Sequence, residues 1–193
     1  MLQFEIPDFS LILLAGGSWI HDVSFSPSGQ SLAWVSHDSS ICTVSASNPQ
    51  MVACIRTTLL PFTCCLWLNE TTIVASGYNC APYVFTYDQA AGKLSAPRCL
   101  DKQEQSDSNG NSNGTSANFS ATLTAFRGMD TRAQAESKDL ELKTLHQNTI
   151  TSMVPHSIDA NGEVTIFSTA GLDGQIVLWN WKTLEQSMAQ MRI

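Results

Sequence analysis

The feature that most constrains this chain is how often it is interrupted. Short runs rich in Val, Ile, Phe, Tyr, Trp and Thr alternate with Gly, Pro, Asp, Asn and Ser over the first hundred residues and the last fifty. β-Branched and aromatic side chains favour a pleated strand, and turn residues at this interval join such strands as antiparallel neighbours. Residues 23–25, 32–36, 41–44 and 51–55 make a first set of four, and 64–68, 72–77, 83–87 and 93–95 a second. A third set opens with 149–154, 164–169 and 175–179 and has no fourth run. There Leu184, Met188 and Met191 fall at i, i+4 and i+7, the spacing of a helix face.

The sets recur at a measurable period. The polar residue of the second turn is Asp38, then Asn79, then Asp173, steps of 41 and 94 residues. A four-stranded propeller blade repeats at about 40–45 residues, so the second step is one blade plus an insertion of about 50. The excess falls in 101–145, which holds 12 of the 27 charged residues. Within it, 105–116 is a Ser/Asn/Gly tract with nothing to anchor a core. Leu123, Phe126 and Met129 recur there at i, i+3 and i+6, one side of a short helix, with Ser116, Asn118 and Ser120 as candidate caps. An apolar helix face on a tether suits a groove on a partner. The expected division is an atypical start at 1–16, two blades at 17–100, a charged, partly disordered insert with an amphipathic helix at 101–145, and a last blade with a C-terminal helix at 146–193.

Composition narrows the function classes. Charged residues are 14% of the chain, against about 25% in typical domains, which excludes a coiled coil, while ample apolar content excludes disorder over most of the length. A net charge of −7 argues against nucleic acid and anionic membrane as partners. No apolar run reaches the length of a spanning helix. Residues 9–17 are apolar but follow Glu5 and Asp8 with no Lys or Arg, so they read as a strand and loop, not a signal peptide. Cys42, Cys54, Cys64, Cys65, Cys80 and Cys99 form no C-x-x-C pair and read as reduced residues of an intracellular protein. Cys64 and Cys65 should point to opposite faces of one strand. His21, His37 and His156 are isolated in sequence and give metal binding no support. There is no G-x-S-x-G, H-E-x-x-H or Walker loop, so neither catalysis nor a cofactor is expected.

The third repeat carries the most specific wording. Gly171-Leu172-Asp173-Gly174-Gln175-Ile176-Val177-Leu178-Trp179-Asn180 resembles the WD-repeat signature, with Asp-Gly making the tight turn and Trp179 able to donate its indole N–H. His146 stands 27 residues before Asp173, about where that family's Gly-His lies. The resemblance implies a hydrogen-bonded set of His146, Thr169, Asp173 and Trp179 that holds the blade's outer edge to its turn: a structural network, not a catalytic triad. In the first two repeats Trp34 and Ala75 take the Thr169 position, and Val44 and Phe85 that of Trp179.

Residues 33–39, 85–94 and 145–148, together with the insert and its stretch around 126–130, resemble the WD-repeat subunit of the actin-related protein 2/3 complex, over 17–193. The resemblance implies an all-β, WD-repeat β-propeller, here about three four-stranded blades of about seven. It further implies a non-catalytic scaffold that supports nucleation of branched actin filaments in the cytoplasm, at the actin cytoskeleton. The implied partners are the complex's other subunits, the actin filament, reached by Leu123, Phe126 and Met129 of the insert, and nucleation-promoting factors. A WD-repeat scaffold or adaptor of another complex is the alternative, which gives no reason for that helix. Since a closed propeller takes about four to eight blades, the chain is expected to be the carboxy-terminal part of a longer protein or a truncated gene model. Its open edges should promote association.

Overall fold

In the computed structural model, which describes residues 18–101 and 142–190, the interrupted runs become strands. Strands β1 (Ile20–Phe25), β2 (Ser31–Ser36), β3 (Ser40–Ser45) and β4 (Asn48–Arg56) pair in chain order as an antiparallel meander. The β2–β3 turn is made by Asp38, whose carboxylate accepts the Ser40 hydroxyl at 2.6 Å and amide at 3.3 Å, while Ser39 takes φ 66°. Strands β5 (Phe62–Asn69), β6 (Thr72–Gly77) and β7 (Tyr83–Asp88) begin a second sheet. Its outer strand comes in two pieces, β8 (Lys93–Leu94) and β9 (Arg98–Cys99), both paired with β7. Pro97 lies between them and has no N–H for the ladder; Ser95 bridges the gap, its amide donating to the Thr86 carbonyl and its hydroxyl accepting the Thr86 amide.

The third sheet has three strands, β10 (Ile150–Ile158), β11 (Val164–Gly171) and β12 (Ile176–Asn180). Among the described residues β10 pairs only with β11, so Pro155 is tolerated on it, at an irregularity in the register. Where a fourth strand would come, helix α1 (Trp181–Gln190) begins. Asn180 caps it by accepting the Thr183 amide at 3.2 Å, and Trp181, Leu184 and Met188 turn inward. These are three successive blades of a WD-repeat β-propeller, all within the unit formed by 1–102 and 144–193. The stretch at 9–17 lies outside the described residues.

Period-2 alternation explains how the blades stack. On β5, Cys65 and Trp67 join Ile73, Ala75, Phe85 and Tyr87 in a core shared with Ala33, Val35, Ile41 and Ala53 of the first sheet. Cys64 and Leu68 point the other way and, with Val74, Val84 and Leu100, join Ile150, Met153, Phe167 and Trp179 of the third. The second blade is therefore buried on both faces, which is why its strands read as nearly unbroken apolar runs. Polar links run beside the apolar ones. The Asp22 carboxylate accepts the Cys65 amide at 2.8 Å, Trp67 donates to the Ser24 carbonyl at 3.0 Å, and Thr63 donates to the Ile150 carbonyl.

Two cysteines depart from the sequence reading. β3 and β4 set Cys42 directly opposite Cys54, and the two are joined by a disulfide. The pairing depends on the register of two adjacent strands, so no Cys spacing in the sequence announces it. At the foot of the third blade the Asp101 carboxylate accepts the Leu145 amide at 2.6 Å, bringing together the two chain segments that flank 102–144.

Candidate functional site

In the third blade the turn sequence Gly171-Leu172-Asp173-Gly174 closes the β11–β12 hairpin, with Gly174 at φ 77°, a conformation costly for residues with a Cβ. Asp173 thereby faces back along the sheet. Its two oxygens lie 3.1 and 3.2 Å from His146 Nδ1 and accept the amides of Gln147 at 2.7 Å and Gln175 at 3.0 Å. His146 is fully buried, and its Nε2 lies 2.8 Å from the Thr169 hydroxyl, which also accepts the Trp179 indole N–H at 2.8 Å. A carboxylate can only accept, so the proton of neutral His146 sits on Nδ1, and Thr169 donates to Nε2. The chain of donors runs one way, from Trp179 through Thr169 and His146 to Asp173. Every polar atom in it is used.

Gly171 is required by this packing. A Cβ built there would stand 2.6 Å from the Asp173 carboxylate and 2.7 Å from His146 Nδ1. Partial burial pushes the Asp173 carboxyl up, but the amides of Gln175 and Gln147 and the His146 ring outweigh it and hold it below the ordinary carboxylate range. An acid so engaged stays ionised at neutral pH.

The same positions in the other blades carry no such network. Ala75 and Phe85 stand in the second blade, both without exposure, and Asn79 instead clamps the backbone of Leu60, donating to its carbonyl at 3.1 Å and accepting its amide at 3.4 Å. In the first blade Trp34 and Val44 form an apolar cluster with Leu32 and Cys42. The buried thiols of Cys64, Cys65 and Cys80 are all raised by burial. Burial pushes Cys64 up to about 12 and Cys65 well above its ordinary value, with the Asp22 charge adding to both. Leu123, Phe126 and Met129 lie outside the described residues, so the structure brings together the four network residues and says nothing of the insert's three.

Sequence reading missed a second pair. His21 and His37, 16 positions apart, have ring nitrogens 3.0 Å from each other. Only the β1–β2 register reveals this, so their reading as isolated residues is corrected.

No protein-family model matches the chain. Curated relatives do. Actin-related protein 2/3 complex subunit 1A-B of Xenopus laevis is 39% identical over 180 residues, which is 93% of this chain and 46% of that protein. Over that span the chain is homologous to actin-related protein 2/3 complex subunit 1. Subunit 1 of Schizosaccharomyces pombe is 34% identical over 178 residues, 84% of this chain and 45% of its own length. Subunit 1B of Arabidopsis thaliana is 32% identical over 173 residues, 89% and 45%. The chain thus spans about half the length of the subunit 1 relatives it matches.

Proposed function

We propose that this chain serves as a subunit 1 component of an actin-related protein 2/3 complex: a non-catalytic scaffold that supports nucleation of branched actin filaments. The observation that carries the reading is the 39% identity sustained over 93% of the chain. The blade chemistry supports it. The four network side chains of the third blade are spent on one another, and burial raises the buried thiols of Cys64, Cys65 and Cys80, which suits a docking body better than a hydrolase or transferase. The other subunits of the complex are its partners, and the cytoplasm at the actin cytoskeleton is its location. In that reducing compartment the Cys42–Cys54 bridge would be open to thiol reduction.

The charged insert at 101–145 is the proposed contact with the actin filament. Leu123, Phe126 and Met129 would present an apolar helix face to a groove there, and nucleation-promoting factors would engage the propeller nearby. The four network residues would keep the third blade rigid while the insert is loaded. Two measurements test the reading: copurification of the chain with an actin-related protein, and branch density at fixed activator in reconstituted complex. Replacing both Phe126 and Met129 with Ala should reduce branching about tenfold, because buried anchors of this kind carry about 1–2 kcal/mol of an interface. Failure to copurify would overturn membership, and normal branching by the double variant would overturn the role of the insert alone.

A further inference from the structure

Strand β1 carries an irregularity that does not serve its pairing. Its register with β2 passes from Ile20 opposite Ser36 to Asp22 opposite Val35, so His21 is the extra residue with no partner across the ladder. A bulge bends its strand and re-aims the side chain of the extra residue. Here the His21 ring is aimed at His37, just beyond the end of β2. His21 Nε2 and His37 Nδ1 are 3.0 Å apart, with ring centroids 5.2 Å apart and planes at 64°. Backbone holds the pair in place, since the His37 amide donates to the Trp19 carbonyl at 2.8 Å. The Trp19 indole lies beside His37, centroids 5.4 Å apart. Both imidazoles are exposed to solvent.

Two metal–imidazole bonds of about 2.0–2.1 Å put their nitrogens about 2.9 Å apart when the bonds meet at about 90°, and about 3.3 Å apart at the tetrahedral angle. A hydrogen bond holds the two nitrogens at 3.0 Å, and that spacing also suits adjacent corners of a square-planar or tetragonal ion, the geometry of copper(II) and nickel(II). We propose that His21 and His37 form a two-imidazole chelate for a divalent d-block cation, copper(II) foremost, with water filling the remaining positions. Among the described residues no group of three or more His, Cys, Asp or Glu is placed to hold a metal ion, and the proposed chelate rests on the two imidazoles. Asp22 is committed elsewhere, to the amides of Val23 and Cys65. The proton balance is simple. In the free pair one ring donates its N–H to the other; on binding, that ring moves its proton to its far nitrogen through water, and both facing nitrogens offer lone pairs with no net change in protonation.

Copper(II) titrated into the full 193-residue chain tests this, followed by tryptophan fluorescence and electron paramagnetic resonance. The expected result is one equivalent bound, quenching of Trp19 and coupling to two nitrogens. His21→Ala and His37→Ala should each weaken binding by about tenfold or more, one ligand of two being lost, with unchanged circular dichroism because both side chains are on the surface. Trp19→Phe should keep the resonance signal and lose most of the quenching, while His156→Ala should change neither. Binding by His21→Ala and His37→Ala as tight as by the unaltered chain would overturn the assignment, as would absence of the two-nitrogen signature.

Discussion

In the second blade Ala75 lies opposite Tyr83 and Ile73 opposite Phe85; in the third, Thr169 lies opposite Val177 and Phe167 opposite Trp179. The registers correspond, and in both blades this face packs on the blade before it. What fills the face differs. At these positions the second blade uses Ala75 and Phe85, the latter edge-on to Phe62 with planes at 88°, and no side-chain hydrogen bond. The third uses Trp179, stacked on Phe167 at 14° between planes, and ties its indole N–H into the chain that ends at Asp173. A repeat can therefore keep its shape with either an apolar plug or a fully paired polar relay. A mixture of the two leaves a buried donor without a partner.

The largest effect should come from the plug. Phe62→Ala removes a ring with no exposure from between two blades and should cost about 3–5 kcal/mol, read as a shift in chemical unfolding. Next comes the relay. Thr169→Val keeps shape but strands the Trp179 and His146 nitrogens, at about 1–3 kcal/mol for a buried group left unpaired. The reverse change, Ala75→Thr, adds a hydroxyl beside a phenyl ring that cannot bond it, and should destabilise. If Thr169→Val were neutral and Ala75→Thr stabilising, the distinction between the two blades would collapse.

A smaller, pH-dependent effect follows from Asp173. Its folded value lies below the ordinary one of about 3.9, so it stabilises the fold fully above that value and loses the contribution as pH falls through the folded value. Unfolding midpoints of the unaltered chain should drop across that acid window, and Asp173→Asn should flatten the drop. Smallest in stability is a change on the far face of the third blade. Ile176 is 76% exposed and Leu178 60%, although Ile41 and Val84, on the corresponding faces of the other blades, are buried against the next sheet. Leu178→Lys should alter stability by less than about 0.5 kcal/mol and reduce self-association in sedimentation; unchanged association would mean that this face is not the sticky one.

The strands were legible because alternation and turn residues act locally. The third-blade network was reached through the resemblance of Gly171–Asn180 to the WD-repeat signature, which implied the set of His146, Thr169, Asp173 and Trp179. Opposed faces for Cys64 and Cys65 follow from the pleat alone. The Cys42–Cys54 bridge and the His21–His37 contact were not legible, since each depends on cross-strand register, and the second also on a bulge that no residue type in β1 signals. The split of the second blade's outer strand could have been read from Pro97.

The bond between Asp101 and Leu145 has a consequence for how such a protein can change over time. Because the chain leaves the second blade and enters the third at neighbouring points fixed by that contact, the length of what lies between matters little. Doubling a flexible loop adds only about 0.6 kcal/mol of closure entropy. Lineages could lengthen, shorten or rewrite that stretch, and an engineer could splice a reporter into it, without renegotiating the sheets. The carboxylate of Asp101 acts as a socket into which different cargo sequences can be plugged.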